Sequence, residues 1–209
     1  MTDSFWSWTL ADFRDRIASA QPQPSGGPVA AVSATFGLGL VVMCLEITRA
    51  GEPNTALDAL LASGRELLER LGAHADRDAS AYSKFMVAMA LPKETVEERA
   101  VRRQRMQEAV TAATESPLAT ARDITAALDL GAQTALVCKP RILSDLSAGI
   151  DLLVASLSAV LGVADANLSG IADAVLQKRL RQERAALATS GAERATSIQT
   201  TLGTRLHGR

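Results

Sequence analysis

Apolar residues recur at a helical period along most of this chain. In the first segment, Leu10, Phe13 and Ile17 fall on one helical face, and Thr9 is placed to cap the first turn. This pattern predicts a short amphipathic helix over about residues 9–19. The segment QPQPSGG ends that helix, because each proline disfavours helical backbone in the residue before it.

A long apolar segment comes next. It is a run of about eighteen uncharged residues from Pro28 to Leu45, which is near the lower length limit for crossing a bilayer. The run contains Ser33 and Thr35, it ends directly in Glu46, and no other uncharged run in the sequence is as long. A helix that is apolar on all sides also suits the centre of an all-α core. We therefore predict a buried core helix here rather than a membrane span.

Breaks at regular intervals divide the remainder into further long helices. RAGEPN at 49–54 predicts a turn, LPK at 91–93 a stop and restart, and VCKPRILSD at 137–145 a loop, while Pro117 predicts an offset within its helix. No segment shows the alternation of a strand. We expect an all-α fold, a bundle of long helices that forms a single domain over residues 1–209. The predicted long helices cover about 28–48, 55–90, 94–131, 144–166 and 170–205.

Composition and charge narrow the classes of protein and partner. Apolar residues make up 47% and charged residues 22% of the 209 residues, which is ordinary for a soluble domain, and the aromatic content of 3% favours close-packed helices over a β-sandwich. The net charge of −1 gives no field that attracts nucleic acid or an anionic membrane. The basic stretch at 99–106 alternates with glutamates and predicts a solvated helix face. We expect no nucleic-acid or membrane partner.

The sequence lacks the motifs typical of metal binding, nucleotide binding and nucleophilic catalysis. His74 and His207 are the only histidines, so no histidine-based metal motif can be built, and no P-loop, GxGxxG or GxSxG pattern is present. Cys44 and Cys138 lack metal-ligand spacing and are expected to be small buried hydrophobes in a reducing compartment. The N-terminus lacks the basic and apolar regions of a secretory signal. We expect no metal, no cofactor and a cytoplasmic location.

The polar residues that stand beside helix breaks are the candidates for a site. Taken singly, each also has a structural explanation: Ser144 as a helix cap, Asp145 as a first-turn acid and Lys93 as a surface charge. On residue chemistry alone, the chain is an all-helical domain with a pocket. The candidates are Gly26, Gly27, Asp78, Tyr82, Lys93, Ser144, Asp145 and Asn167.

Three segments, taken in order, resemble the cyclodeaminase/cyclohydrolase family. They are AQPQPSGGPVAAVSATFGLGLVVMCLEIT, DASAYSKFMVAMALPKETVEERAVRRQRMQEAVTAATESPL and ILSDLSAGIDLLVASLSAVLGVADANL, within about residues 10–175. The family includes the cyclodeaminase half of formiminotransferase-cyclodeaminase and stand-alone methenyltetrahydrofolate cyclohydrolases. The resemblance implies an all-α homodimer with a folate site and no cofactor besides the tetrahydrofolate substrate. A chain of this length is more similar to the cyclohydrolases, with formiminotetrahydrofolate cyclodeaminase as the alternative.

The resemblance also implies roles for the candidate residues. Asp78 or Asp145 would orient or deprotonate the water that attacks the methenyl carbon, and Lys93 would assist proton transfer or pair with a folate carboxylate. Gly26 and Gly27 would let the pterin or its linker approach the backbone. The remaining residues expected to bind substrate are Tyr82, Ser144 and Asn167.

Several polar positions depart from the family pattern. Glu46, Lys139 and Gly162 each stand where relatives usually carry another residue, the loop at 49–54 is shorter, and Ser25 begins a loop that usually reads as three glycines. Loss of polar residues from a retained scaffold predicts either an altered substrate or a non-catalytic folate-binding scaffold. An amphipathic protein of the membrane surface is a further alternative, which the low aromatic content and near-zero charge disfavour.

Overall fold

The computed structural model describes residues 4–50 and 54–207, and within these ranges the chain is helical with no strand. The predicted all-α bundle of long helices is confirmed. Short 3₁₀ turns at Phe5–Ser7 and Pro140–Ile142 precede the first and fifth helices. The six α-helices are α1 (Leu10–Ile17), α2 (Gly26–Arg49), α3 (Thr55–Met89), α4 (Val96–Val137), α5 (Leu143–Leu168) and α6 (Ala174–His207).

Local capping chemistry sets most helix starts. Thr9 and Asn54 each accept a hydrogen bond from a first-turn N–H of α1 and α3. Thr95 and Glu98 form a reciprocal capping box at the start of α4. Ser25, which precedes α2, makes no side-chain capping bond, so the first-turn N–H groups of α2 are left without a side-chain cap.

Two helix boundaries differ from the sequence prediction. Helix α2 begins at Gly26, two residues before Pro28, so the glycine pair belongs to the first helical turn rather than to the preceding loop. Helix α4 is continuous through Pro117, where the sequence predicts an offset, and it extends to Val137. The side-chain amide of Asn167 on α5 donates the hydrogen bond to α4 that proline cannot.

Helix α2 packs antiparallel against α5 in the middle of the bundle. Gly26 lies beside Val163 at one end, and Gly37 lies beside Gly149 at the closest crossing. A Cβ atom built on either glycine of the crossing would lie 2.7 Å from the carbonyl oxygen of the other glycine, so neither position accepts a side chain without a shift. The α2 side chains of Ala34, Leu38, Val41 and Leu45 are fully buried in the core, as the apolar run predicts.

Two helical segments are long and apolar enough to cross a membrane by length and composition alone. They are Gly26–Arg49, with mean hydropathy 2.0 and 67% of its window buried, and Pro140–Leu168, with mean hydropathy 1.9 and 44% buried. The count of uncharged residues in the sequence points only to the first. Core helices of globular proteins satisfy the same criterion. The lower burial of the second segment reflects an exposed apolar face on α5.

The N-terminal segment packs across α3. The Trp6 indole donates to the Gly72 carbonyl oxygen over 2.8 Å, and the Phe5 backbone N–H donates to Asp76 over 3.0 Å. Phe5 and Trp8 meet edge to face with ring centroids 5.1 Å apart. These contacts hold the chain next to the turn of α3 that precedes the candidate site.

Candidate functional site

A cavity of about 400 Å³ lies where the start of α2, the second half of α3, the middle of α4 and the end of α5 meet. Four predicted site residues come together here: Asp78 and Tyr82 from α3, Asn167 from α5, and Gly27 against Asp78. Larger hollows of about 510, 570 and 750 Å³ exist, but no predicted site residue lines them. The cavity is lined by Ser25, Asp78, Ala81, Tyr82, Phe85, Val110, Ala113, Val163, Ala166, Asn167, Ser169 and Gly170.

Helical spacing explains why α3 contributes several lining residues. Asp78, Tyr82 and Phe85 follow one another at intervals of four and three, so they share one face of α3. Asp78 is the charged residue among the lining side chains, and none of those side chains is basic. The cavity therefore presents one carboxylate on an otherwise neutral and largely apolar wall.

Gly27 makes room for the Asp78 carboxylate. Gly27 is buried in the first turn of α2, and a Cβ atom at this position would lie 2.7 Å from the Asp78 carboxyl carbon. Gly26 is different, because a Cβ atom there would meet only Val163 Cγ2 at 3.8 Å. Gly27 is therefore sterically required, whereas Gly26 is exposed and has room for a side chain.

Burial raises the pKa of Asp78 above its ordinary value, because the half-buried carboxylate loses hydration. The Ser116 hydroxyl of α4 faces the carboxylate and opposes this rise. Ser116 Oγ is itself buried and completes no hydrogen bond of standard geometry within the described chain. A carboxyl group whose pKa moves towards neutrality is suited to accept and return a proton during catalysis.

Asn167 is held by α4. Its side-chain Nδ2 donates to the carbonyl oxygen of Ala113 over 2.8 Å, and its own backbone carbonyl accepts from the N–H of Gly170 over 3.0 Å. Asn167, Ala113 and Gly170 all line the cavity. The end of α5 and the following turn therefore form a fixed wall.

The other predicted site residues lie away from the cavity within one chain. Lys93 is exposed in the loop between α3 and α4, where its carbonyl oxygen accepts from Arg99. Ser144 and Asp145 are exposed in the first turn of α5, roughly 27 Å along that helix from Val163 at the cavity. Catalytic and binding roles for these three residues stay predictions.

Of the positions that depart from the family pattern, Ser25 lines the cavity, whereas Glu46, Lys139 and Gly162 lie outside its lining. Glu46 pairs with Arg65 of α3, and Lys139 donates its backbone N–H to Thr48 Oγ1 over 3.3 Å. Gly162 is exposed on α5 with open space around it.

Several residues at the cavity are not among those predicted from the sequence. Phe85 continues the α3 face of Asp78 and Tyr82, so helical periodicity contains a signal for it. Ser116, Ala113 and Val163 carry no such signal, because which turns of α4 and α5 meet α3 depends on how the helices pack.

A second polar cluster, formed by buried His74, Asp123 and exposed Arg70, lies beside the site. His74 Nε2 is 2.9 Å from Asp123 Oδ2, and Arg70 donates to the other oxygen of Asp123 over 2.7 Å. Burial lowers the pKa of His74, which favours a neutral imidazole at pH 7. For Asp123, burial opposes ionisation, but hydrogen bonds from Arg70 and His74 outweigh it and lower the pKa. The cluster ties α3 to α4.

The cysteines are free and buried, as predicted. The hydrogen bond with Cys138 and burial raise the pKa of Cys44, so this thiol stays protonated. Within residues 4–50 and 54–207, no group of three or more His, Cys, Asp or Glu side chains is arranged to hold a metal ion.

Comparison with known proteins identifies relatives over most of the chain. Residues 9–186 match the family model described as formiminotransferase-cyclodeaminase. The chain is 36% identical over 196 residues to the methenyltetrahydrofolate cyclohydrolase of Methylorubrum extorquens, a match that covers 88% of this chain and 91% of the relative. It is 30% identical over 172 residues to the formimidoyltransferase-cyclodeaminase of Gallus gallus, which covers 78% of this chain and 31% of that protein.

The fold also has a counterpart among solved structures. The crystal structure of formiminotetrahydrofolate cyclodeaminase from Thermotoga maritima superposes with a TM-score of 0.84, covering 95% of this chain and 97% of that one. The two sequences are 21% identical, so this likeness concerns the fold.

Proposed function

The chain belongs to the formiminotransferase-cyclodeaminase family, and on that premise we propose that it is an enzyme that hydrolyses 5,10-methenyltetrahydrofolate to formyltetrahydrofolate. The relative that carries the cyclohydrolase name is matched over nearly its whole length, whereas this chain spans about a third of the Gallus gallus formimidoyltransferase-cyclodeaminase. The observation in the structure that supports this reaction is the Asp78 cavity. It holds one carboxylate and no basic lining side chain, which suits a cationic substrate.

We propose that Asp78 moves the protons of the reaction. The carboxylate accepts one proton from water as the water oxygen bonds to the methenyl carbon, which gives a neutral hydroxyl adduct. The protonated carboxyl group then donates to the departing nitrogen as that carbon–nitrogen bond breaks. The carboxylate accepts the hydroxyl proton as the formyl C=O forms, and it releases this proton to solvent. No metal or redox cofactor enters this scheme, because the amidinium-like carbon is already electrophilic.

The remaining cavity residues would orient the substrate. Tyr82 and Phe85 offer aromatic surface for the pterin ring, and the first turn of α2 at Gly26 and Gly27 lets a planar ring approach the backbone. Holding water and the methenyl carbon in one geometry supplies a large part of the acceleration that such an enzyme needs.

The test is a spectrophotometric assay of the purified full-length protein with 5,10-methenyltetrahydrofolate. We expect loss of its near-ultraviolet absorbance above the spontaneous rate, and a decrease of about 10²–10⁴-fold in turnover in Asp78→Asn. Glu69→Gln, an exposed carboxylate on the same helix, is the matched control and should retain full activity. Decay equal to background in a folded helical protein contradicts the proposal. Ammonia release from 5-formiminotetrahydrofolate in the same preparation would instead identify a cyclodeaminase.

We propose further that the protein is a homodimer in which a second copy covers the exposed face of α5. That face is apolar and made mostly of small residues, and Leu152, its largest side chain, is 38% exposed. Antiparallel pairing of two such faces would place Ser144 and Asp145 of one copy near the end of α5 in the other, where the cavity opens. The face is formed by Ala148, Leu152, Ala155, Ala159, Gly162 and Ala166.

The expectations about location and other partners are retained as proposals. Two free, buried cysteines are compatible with a reducing compartment, and we propose a cytoplasmic protein. The basic stretch of α4 is engaged within the chain, since Arg102 donates to the Met89 carbonyl and Arg105 pairs with Glu108. Nucleic acid and membranes are therefore not among the partners that we propose.

A further inference from the structure

Pro117 creates a local defect in α4 next to the cavity. In a regular helix, the N–H of residue 117 would donate to the carbonyl oxygen of residue 113, but proline has no N–H. Pro117 is buried within a helix that continues for twenty residues beyond it to Val137. The Ala113 carbonyl oxygen therefore lacks its ordinary partner and needs a donor from elsewhere.

The Asn167 side chain fills that vacancy. Its Nδ2 donates to the Ala113 carbonyl oxygen over 2.8 Å from the facing turn of α5. The chemistry fixes which end of the amide faces α4, because the opposite orientation would set two oxygen acceptors against each other. Within the described residues, no donor is bonded to Asn167 Oδ1. Asn167 lines the cavity, and its Oδ1 has the capacity to accept a hydrogen bond from a bound molecule.

We infer that Pro117 is a positioning residue for substrate recognition, and that Asn167, fixed through Ala113, selects a ligand by accepting a hydrogen bond from it at Oδ1. This inference rests on the proposed function and adds a specificity determinant to the same site. Together with the Asp78 carboxylate, Asn167 Oδ1 adds an acceptor oxygen to a cavity whose lining has no basic side chain. The partner that fits is the donor-bearing edge of a reduced pterin, whose ring N–H and amino groups match such acceptors.

A double-mutant cycle tests the link between the two residues. Steady-state KM and kcat for 5,10-methenyltetrahydrofolate would be measured in wild type, Pro117→Ala, Asn167→Ala and the double variant. Asn167→Ala should raise KM about tenfold with a smaller change in kcat, the size of one hydrogen bond. Pro117→Ala restores the N–H that bonds Ala113 and releases the Asn167 amide, so KM should rise several-fold. Pro117→Gly restores the same N–H and is the second variant if Pro117→Ala does not fold.

The double variant shows whether Pro117 acts through Asn167 or only through its effect on the shape of α4. If Pro117 acts through Asn167, then Pro117→Ala causes no further rise in KM once Asn167 is alanine. An equal rise in KM in both backgrounds would overturn the inference, because Pro117 would then act independently of Asn167.

A second readout does not depend on turnover. In ¹⁵N-labelled wild-type protein, the Asn167 side-chain amide should show one proton that exchanges slowly with solvent, and Pro117→Ala should abolish that protection. Unchanged protection in Pro117→Ala contradicts the inference even if the enzyme is active. Absence of any folate turnover, with the protection lost as expected, would instead remove the proposed function and leave the positioning of Asn167 by Pro117 in place.

Discussion

At the scale of single residues, the candidate site depends on Gly27 because it has no side chain, and not because its backbone adopts a conformation that only glycine favours. No described glycine has a positive φ, and Gly27 lies in ordinary helix. What Gly27 provides is the absence of a Cβ atom beside the Asp78 carboxylate. The position of the proposed proton carrier is thus set by a residue on another helix, about fifty positions earlier in the chain.

We expect Gly27→Ala to displace the Asp78 carboxylate and to lower kcat by about 10²-fold, because a shift of roughly 1 Å in a catalytic group has effects of that size. The matched control is Gly26→Ala, where the nearest atom to the new Cβ is 3.8 Å away, and its kcat should fall far less. Steady-state kinetics of the two variants provides the comparison. Equal losses in both would show that backbone access at α2, not room for Asp78, is what the glycines supply.

The raised pKa of Asp78 predicts how the stability of the protein changes with pH. Between the unfolded value of about 3.9 and the higher native pKa, the native state binds more protons, so Asp78 lowers stability as pH rises through that window. We therefore expect Asp78→Asn to be more stable than wild type at pH 7. The expected gain in the free energy of unfolding is about 1.4 kcal/mol for each unit by which the native pKa of Asp78 exceeds its unfolded value. The gain should vanish below about pH 3.9. Urea unfolding of both proteins across pH measures this difference, and a variant less stable at neutral pH would contradict it.

Sequence patterns select part of the lining of the candidate site, for reasons that are visible at this scale. Asp78 and Tyr82 share a helical face and Asn167 stands next to a predicted break, so periodicity and breaks select them. Ser116 and Ala113 are ordinary residues in the middle of a helix, and only packing brings them to Asp78 and Asn167. Lys93 is the opposite case, since it belongs to a sequence motif but does not line the cavity.

At the scale of helices, α2 and α5 cross with backbone packed against backbone. Gly37 and Gly149 face each other there without side chains, so each backbone carbonyl packs directly against the other helix. Periodicity predicts both helices and their burial. It does not predict this crossing, because one sequence contains no information on which glycines of two distant helices meet.

We expect Gly149→Ala to destabilise the protein by about 1–3 kcal/mol, because the new methyl group would collide with the Gly37 carbonyl oxygen. Gly39→Ala is the control on the partner helix. It has no atom within 4 Å of the new Cβ and should be neutral or more stable by about 0.5–1 kcal/mol through helix propensity. Chemical denaturation of both variants measures the two effects. A Gly149→Ala protein as stable as wild type would mean that α2 and α5 are free to slide apart.

At the scale of the whole molecule, the sequence predicts the all-α bundle well, because long amphipathic segments separated by prolines and glycines leave few alternatives. The prediction of an offset at Pro117 fails for a reason that lies outside α4. A side chain on α5 supplies the missing hydrogen bond, so the helix continues. Tertiary contacts of this kind override local propensity.

The exposed face of α5 leads to a prediction about assembly. Leu152→Arg places a charge on that face at its largest side chain and should convert a dimer into a monomer, as measured by light scattering coupled to gel filtration. Val175→Arg on α6 is the control, because Val175 is 81% exposed outside the face and its substitution should leave the mass unchanged. A Leu152→Arg protein with wild-type mass would show that α5 is not the contact surface.

The cavity walls come from four helices that are far apart along the chain, from the start of α2 to the end of α5. A molecule can bind there only when all four helices are packed together, so its binding free energy stabilises the folded bundle as a whole. At a free concentration one hundred times its dissociation constant, such a ligand adds about 2.7 kcal/mol to global stability. Amide protons should then be protected from exchange in α2, α3, α4 and α5 together, so that substrate availability controls how often the bundle opens as a unit.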